Sequence, residues 1–159
     1  MKRVEIIYGG ASNEKEISYL TAKSIYEHID TDLYNPGLTD LSKFDPDNFD
    51  NETIFFIAVH GEGGEDGKIQ TQLENKKRKF TGSSSESCIL TWDKVATKRA
   101  LIANDILTPQ FKSIKNNEHF DFNDSFFAEN EHYFVKPNFN GSSYGISKVS
   151  DKKFNVALK

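Results

Sequence analysis

The chain has 159 residues, enough for one ordinary core or for one small domain and part of another. Hydrophobic residues make up 36% of it, and thirteen phenylalanines supply large apolar surfaces, which argues against a disordered chain. The net charge of −4, without a stripe of basic and aromatic side chains, argues against nucleic-acid binding. No window approaches the ~18 apolar residues of a membrane span, so we expect no membrane partner.

The first elements of the chain are a strand and a helix. The apolar run Val4–Tyr8 ends in two glycines and predicts a buried parallel strand that enters a tight turn. A helix is predicted from Glu14 to His28, with Ser12 or Asn13 as its cap and Glu16 completing a capping box. The predicted buried face of this helix consists of Ile17, Leu20, Ser24, Ile25 and Ile29.

The alternation of strands and helices continues through the first half. A second strand is predicted at Tyr34–Leu38, although Pro36 weakens it. The clearest strand is Ile54–Val59, which is continuously apolar and is expected to be buried on both faces. A helix over Lys68–Asn75 and a short strand at Phe80 follow. The pattern predicts an α/β fold with an open parallel βαβ sheet, whose ligands bind at the carboxyl ends of the strands.

The second half predicts one helix and one hairpin. The helix spans Asp93–Asn104, and two strands, His132–Lys136 and Gly145–Val149, flank a flap rich in glycine and serine. The stretch Asn116–Asn130 receives no assignment, and Asp151–Leu158 is expected to begin another helix. We predict a domain boundary after residue 88, because the segment that follows is too small to bury a core of its own.

Two residues near the predicted strand ends are candidates for chemistry. Glu14 follows the first glycine turn and would lie in a cleft at a strand end, but a carboxylate is also favourable at any helix N-terminus. His60 follows the most buried strand and precedes a glycine loop; the alternative is a histidine that packs against the sheet edge.

The single cysteine, Cys88, allows no internal disulfide, which fits a reducing compartment, and we expect the protein in the cytoplasm.

Two lysines occupy positions that are unfavourable without an anion. Lys136 ends an apolar strand, and Lys94 begins a helix, where the helix dipole opposes a cation. A shared polyphosphate explains both positions, whereas the alternative is two lysines that extend to solvent. The loop Asn140–Gly145 lacks the Gly-Lys-Ser/Thr ending of a Walker A motif.

Several segments together resemble the N-terminal part of a D-alanine–D-alanine ligase of the ATP-grasp superfamily. The segment His-Gly-Glu-Gly-Gly-Glu-Asp-Gly from His60 is highly specific, as is Val-Lys-Pro combined with Gly-Ser-Ser-Tyr-Gly-Ile-Ser-Lys-Val. The resemblance covers nearly the whole chain. The segments that carry it are Gly9–Ser18, His60–Gln70, Thr81–Ser83, Asp93–Lys98, Phe134–Pro137 and Gly141–Val149.

The resemblance implies a domain organisation and an activity. Residues 1–88 would form a substrate-side domain of the pre-ATP-grasp type, and residues 89–159 the beginning of an α+β ATP-grasp domain. The reaction would be the ADP-forming ligation of two D-alanines through a D-alanyl phosphate, for peptidoglycan synthesis, cell-wall biogenesis and cell shape. D-Alanine and ATP would be the partners, and the full-length protein would be a homodimer.

The resemblance also implies roles for single residues. Glu14 would help to hold the ammonium group of the first D-alanine, and His60 would lie beside that substrate and the acyl-phosphate. Lys94 and Lys136 would contact the ATP phosphates. The flap that closes over the nucleotide would contain Gly141, Ser142 and Ser143, with Ser142 linked by hydrogen bonding to the glutamate. Tyr144 departs from the family, which usually has a small aliphatic residue at that position of the flap.

Other parts of the family's active centre are expected beyond Lys159. They include the Mg²⁺-binding carboxylates, the arginine that steadies the transition state, the adenine pocket and the loop that selects the second substrate. We therefore predict no metal ligand in this chain, and we expect the chain to be inactive alone. Three alternatives remain: a ligase for D-lactate or D-serine, a truncated binding module without catalysis, and, least favoured by the His60–Gln70 segment, another ATP-grasp ligase.

Overall fold

A computed structural model describes residues 1–115 and 132–149 of the chain. The chain divides into two compact units, Met1–Asp93 and Lys94–Lys159, which are described separately. This division lies five residues after the predicted boundary at residue 88, which stays a prediction. The unassigned stretch 116–130 and the helix expected over 151–158 lie outside the described residues.

The first unit contains a four-stranded parallel sheet with the strand order β2 (Tyr34–Asp40), β1 (Lys2–Tyr8), β3 (Ile54–Ile57) and β4 (Lys79–Phe80). The predicted α/β fold with an open parallel sheet is confirmed. The helix at residues 85–92 was not predicted. The elements are β1 (Lys2–Tyr8), α1 (Lys15–His28), β2 (Tyr34–Asp40), β3 (Ile54–Ile57), α2 (Lys68–Asn75), β4 (Lys79–Phe80) and α3 (Ser85–Trp92).

Two apolar clusters cover opposite faces of this sheet. Adjacent residues of a strand point to opposite faces, so Ile6 and Ile7 of β1 enter different clusters. Ile7 packs with Phe55 and with residues of α2, whereas Ile6 packs with residues of α1. Both isoleucines are fully buried, because β1 lies between two other strands and between two layers of helix. The clusters consist of Ile7, Phe55, Val59, Ile69 and Leu73 on one face and Val4, Ile6, Ala22 and Ala58 on the other.

The buried face of α1 differs from the predicted one. Ser18 and Ala22 are fully buried, whereas Ile17 and Leu20 are 54% and 53% exposed. The Ser18 hydroxyl accepts a hydrogen bond from Gly9 N at 2.8 Å and donates one to Ala58 O at 2.8 Å. Small side chains let the helix approach the sheet closely, and the hydroxyl satisfies two backbone groups at the strand ends. The predicted face was therefore partly wrong.

The predicted capping box at the start of α1 is also wrong. The helix begins at Lys15 with Glu14 at the capping position, and no side chain caps it by a hydrogen bond. The Ser12 hydroxyl instead donates to His60 O at 2.9 Å and accepts from Glu14 N at 3.2 Å. The Ser12 hydroxyl therefore bonds within the turn before α1 and joins that turn to the segment after β3.

The second unit contains α4 (Lys94–Ala103) and an antiparallel hairpin of β5 (Tyr133–Val135) and β6 (Ser147–Val149). The helix and the hairpin confirm the sequence prediction. Within the described ranges of the chain, no helix is both long and apolar enough to cross a membrane.

Ser18→Ala should lower the free energy of unfolding by about 2–3 kcal/mol, because it leaves the buried Gly9 N–H and Ala58 C=O without their partner. Urea unfolding followed by circular dichroism measures this change. Ser24→Ala is the matched control, because Ser24 lies on the exposed side of the same helix. Equal stability of the two variants would contradict the structural role of the Ser18 hydroxyl.

Candidate functional site

The carboxylate of Glu14 lies against the backbone that follows β3. Glu14 is 8% exposed, which is unusual for a carboxylate in the turn before a helix. A Cβ atom built on Gly61 would lie 3.1 Å from Glu14 Oε2. Gly61 also has a φ of +71°, so a side chain there would be strained as well as crowded. The structure therefore brings Glu14 to the His60–Gly61 segment, although the two are far apart in sequence.

The His60 ring lies between α1 and the glycine loop that follows His60 in the chain. Its Nε2 atom is 3.0 Å from Thr21 Oγ1, within hydrogen-bond distance, and its Nδ1 atom is 3.8 Å from Glu65 Oε1. The His60 side chain is 32% exposed. Both ring nitrogens thus face polar groups of this unit. The sequence analysis missed Thr21, because a single hydroxyl inside a helix gives no signal of a contact with a strand end.

The loop after His60 folds back on itself through backbone hydrogen bonds. Gly64 N and Glu65 N both donate to Gly61 O, at 3.1 and 2.9 Å. The buried side chain of Gln70 donates from Nε2 to Gly64 O at 2.6 Å. This turn directs Glu65 towards the histidine.

Asp66 has a different role in the same loop. Its Oδ1 atom accepts from Lys68 N at 3.1 Å, and its Oδ2 atom forms an ion pair with Lys68 Nζ at 3.0 Å. Burial raises the pKa of Asp66, but the hydrogen bonds from Lys68 outweigh it and hold the pKa below the ordinary value. Asp66 therefore holds the start of α2, and its carboxylate is paired with Lys68.

Lys94 connects the start of α4 to the segment that follows β5. Its ammonium group donates to Asn140 O at 2.7 Å and lies 3.4 Å from Asn138 O. The backbone N of Val95 donates to Asn138 Oδ1 at 3.0 Å. The first residues of the flap are thereby tied to the helix N-terminus by neutral carbonyl and amide groups.

Lys136 lies close enough to Lys94 to affect its protonation. The pKa of Lys94 is lowered, first by burial of its ammonium group and second by repulsion from Lys136. Within residues 1–115 and 132–149, neither lysine forms a salt bridge with a carboxylate. Two cations that destabilise each other are suited to an anion, because an anion would relieve both the desolvation and the repulsion.

The flap is a tight turn with unusual backbone angles. Ser142 and Ser143 have φ values of +45° and +61°, in the left-handed region that residues other than glycine seldom adopt. Tyr144 N donates to Gly141 O at 3.1 Å, and Ile146 N donates to Ser143 O at 3.2 Å. These bonds keep the serines in their conformations. Backbone strain of this kind is often found at functional sites.

The described residues do not provide a metal site. No group of three or more His, Cys, Asp and Glu side chains suitable for a metal ion is present in residues 1–115 and 132–149. Mg²⁺ takes oxygen ligands such as carboxylates, and the described residues offer no such cluster for it. Cys88 is half-buried, and burial, followed by nearby carboxylates, raises the pKa of its thiol. It is therefore poorly suited to act as a nucleophile.

No family model matches the chain. It is 34% identical over 152 residues to a D-alanine–D-alanine ligase of Polynucleobacter asymbioticus, covering 92% of this chain and 44% of that protein. A ligase of the same name from a Marinomonas species is 35% identical over 161 residues, covering 94% of this chain and 49% of that protein. The chain is a homologue of the D-alanine–D-alanine ligases. It spans about half the length of the curated relatives that it matches.

The fold supports the same relationship. A crystal structure of the D-alanine–D-alanine ligase from Bacillus anthracis complexed with ATP superposes with a TM-score of 0.84 and 27% sequence identity. The superposition covers 99% of this chain and 53% of that one. The mixed α/β architecture with its parallel sheet therefore corresponds to the N-terminal part of the ligase structures. The resemblance inferred from the sequence motifs is confirmed.

Lys94 should titrate at a lower pH than an ordinary lysine, because burial and Lys136 both disfavour its charged form. Lys136→Gln should raise its pKa only part of the way to the ordinary value, because burial is the larger cause. Carbon-13 NMR of the chain with ¹³C-methylated lysines measures both effects.

Lys23→Gln is the control for this titration, because Lys23 forms an exposed pair with Glu27 on α1. The unfolded chain keeps the proton on Lys94 to higher pH than the folded chain does. The Lys94 contribution to the free energy of unfolding should therefore rise with pH between the folded and the unfolded pKa of this lysine. A Lys94 resonance that titrates at the pKa of an ordinary lysine would contradict the arrangement.

Proposed function

We propose that this chain supplies the binding groups for the first D-alanine and for the ATP phosphates in a D-alanine–D-alanine ligase. The observation that carries the proposal is the close approach of the buried Glu14 carboxylate to Gly61, near the carboxyl ends of two neighbouring parallel strands. Ligands of open α/β sheets bind at such ends. The named relatives and the ATP complex of the similar ligase add the substrate class.

Glu14 and His60 would act on the first D-alanine. A buried carboxylate binds an ammonium group strongly, because a charge-assisted hydrogen bond gains strength where water is excluded. Glu14 would accept from the amino group of the amino acid and so orient its carboxylate. His60, fixed beside Glu14 through Ser12, would lie next to the carboxylate that receives the phosphoryl group.

Lys94, Lys136 and the flap would act on the nucleotide. The two ammonium groups would stabilise the negative charge that moves from the γ-phosphate to the leaving ADP during transfer. Gly141, Ser142 and Ser143 would close over the phosphates, with backbone groups directed at them by the left-handed turn. Closure would exclude water, which would otherwise hydrolyse the acyl-phosphate before the second amine attacks.

The reaction would join two D-alanines at the expense of ATP, with ADP and phosphate as the other products, for peptidoglycan synthesis in the cytoplasm. The Mg²⁺ ion that such a reaction would use has no cluster of three or more candidate ligands among the described residues. We further propose that the longer protein is a homodimer. The choice between D-alanine, D-lactate and D-serine as second substrate would depend on residues other than those described.

Ligation should require more than this chain. With ATP and D-alanine, purified chain 1–159 should form D-alanyl-D-alanine no faster than its Lys136→Ala variant, as measured by chromatography of the dipeptide.

Fused to the remaining half of the Bacillus anthracis ligase, the same residues should restore ligation, and Lys136→Ala in the fusion should reduce kcat/KM at least about tenfold. Ligation by the isolated chain well above its control would contradict the first expectation. A folded fusion that binds ATP but is indifferent to Lys136→Ala would contradict the second.

Nucleotide binding separates a binding module from a chain that binds nothing alone. In calorimetric titrations with ADP, Lys136→Ala should weaken binding about 10- to 100-fold, because one hydrogen bond from a cation to phosphate contributes about 1.5–3 kcal/mol. Lys23→Ala removes a surface lysine of the first unit and should leave the affinity unchanged. Micromolar affinity of the unmodified chain would favour a binding module. Absence of binding would show that this half does not hold nucleotide by itself.

A further inference from the structure

Thr21 contributes a hydroxyl to the ring of His60, a contact that none of the matched sequence segments contains. Thr21 lies in α1, three residues after the buried Ser18. Its Oγ1 atom is 3.0 Å from His60 Nε2, across 39 residues of sequence. The contact joins the helix to a residue three positions after the end of β3.

The Thr21 hydroxyl differs from the hydroxyls of two other helical threonines. Thr71 Oγ1 donates to Gly67 O at 2.8 Å, and Thr91 Oγ1 donates to Ser87 O at 2.8 Å. Such bonds to the carbonyl four residues earlier are usual for threonine in a helix. Among the described residues, Thr21 makes no bond of this kind, so its hydroxyl proton is available for Nε2.

The other side of the ring favours a particular position for the imidazole proton. Glu65 Oε1 lies 3.8 Å from Nδ1, and a carboxylate near one ring nitrogen favours a proton on that nitrogen. This distance is too long for a hydrogen bond, so the Nδ1–H group stays available to a ligand. The backbone of the histidine is fixed separately, because the Ser12 hydroxyl donates to His60 O at 2.9 Å.

We propose that Thr21 is a positioning residue that donates a hydrogen bond to His60 Nε2 and holds the neutral ring as its Nδ1–H tautomer. The ring then presents a hydrogen-bond donor on the side of the glycine loop. With this tautomer, neutral His60 binds an anionic oxygen of the substrate or of its acyl-phosphate and does not act as a base from Nδ1. The inference rests on the role proposed above for His60, which it makes specific.

Nitrogen-15 NMR of the 159-residue chain tests the tautomer directly. At pH 8, where an ordinary imidazole is neutral, long-range ¹⁵N–¹H correlations distinguish the protonated ring nitrogen from the unprotonated one. His60→Gln identifies the His60 signals. In the unmodified chain we expect a protonated Nδ1 and an unprotonated Nε2. Thr21→Val should lower the ratio of Nδ1–H to Nε2–H about threefold to tenfold, the change that one net hydrogen bond produces, and Thr21→Ser should preserve the ratio.

Two controls separate this effect from a general disturbance. Thr91→Val removes a hydroxyl that is bonded only within α3 and should leave the His60 signals unchanged. His28 serves as an internal reference, because its Nδ1 atom is 2.8 Å from Ser24 O and should keep its proton in every variant.

The outcomes decide the proposal independently of ligation. It is overturned if His60 is mainly Nε2–H in the unmodified chain, or if folded Thr21→Val keeps the original ratio. Should Thr21→Val not fold, the spectra of the unmodified chain and of Thr21→Ser decide it, since loss of the Nδ1–H form in the serine variant would also overturn it. Because the measurement needs neither ATP nor D-alanine, its result stands whether or not the chain binds nucleotide.

Discussion

Buried and half-buried hydroxyl groups join α1 to the backbone at the strand ends of the parallel sheet, beside the apolar contacts of Ala22. The buried Ser18 hydroxyl bridges Gly9 N and Ala58 O, and so ties together the segments after β1 and β3. Ser12 and Thr21 extend the same connection to the carbonyl and the ring of His60. Short side chains are needed for this, because they let the helix approach closely enough to satisfy backbone groups that the strand ends leave unpaired. The positions of Glu14 and His60 depend on this framework.

The second unit positions its charges in a comparable way. The Lys94 ammonium group is bound by carbonyl oxygens, and the turn at Ser142 and Ser143 is held by backbone hydrogen bonds. Neutral carbonyl groups thus hold the Lys94 ammonium group, and no carboxylate among the described residues forms a salt bridge with it. The lowered pKa of Lys94 beside Lys136 is the clearest sign of that state, since an anion would restore the ordinary protonation of the lysine.

The groups that we propose for the ammonium of D-alanine and for the ATP phosphates occur in a chain that spans about half the length of its relatives. The part of the chain that the structure describes provides no group of three or more candidate metal ligands.

The sequence by itself determined the main strands, their order of appearance and the motifs of the ligase family. The apolar runs at β1 and β3 and the glycines that follow them encode buried strands and turns locally, so Glu14 and His60 could be named before any coordinates. Only the tertiary structure decided which face of α1 is buried and which hydroxyls contact His60. Periodicity favoured Ile17 and Leu20, but the partners of Ser18 and Thr21 are groups some 40 residues away, at Ala58 and His60. A hydrogen bond to a distant strand end depends on how the helix packs, and local sequence carries no measure of that packing.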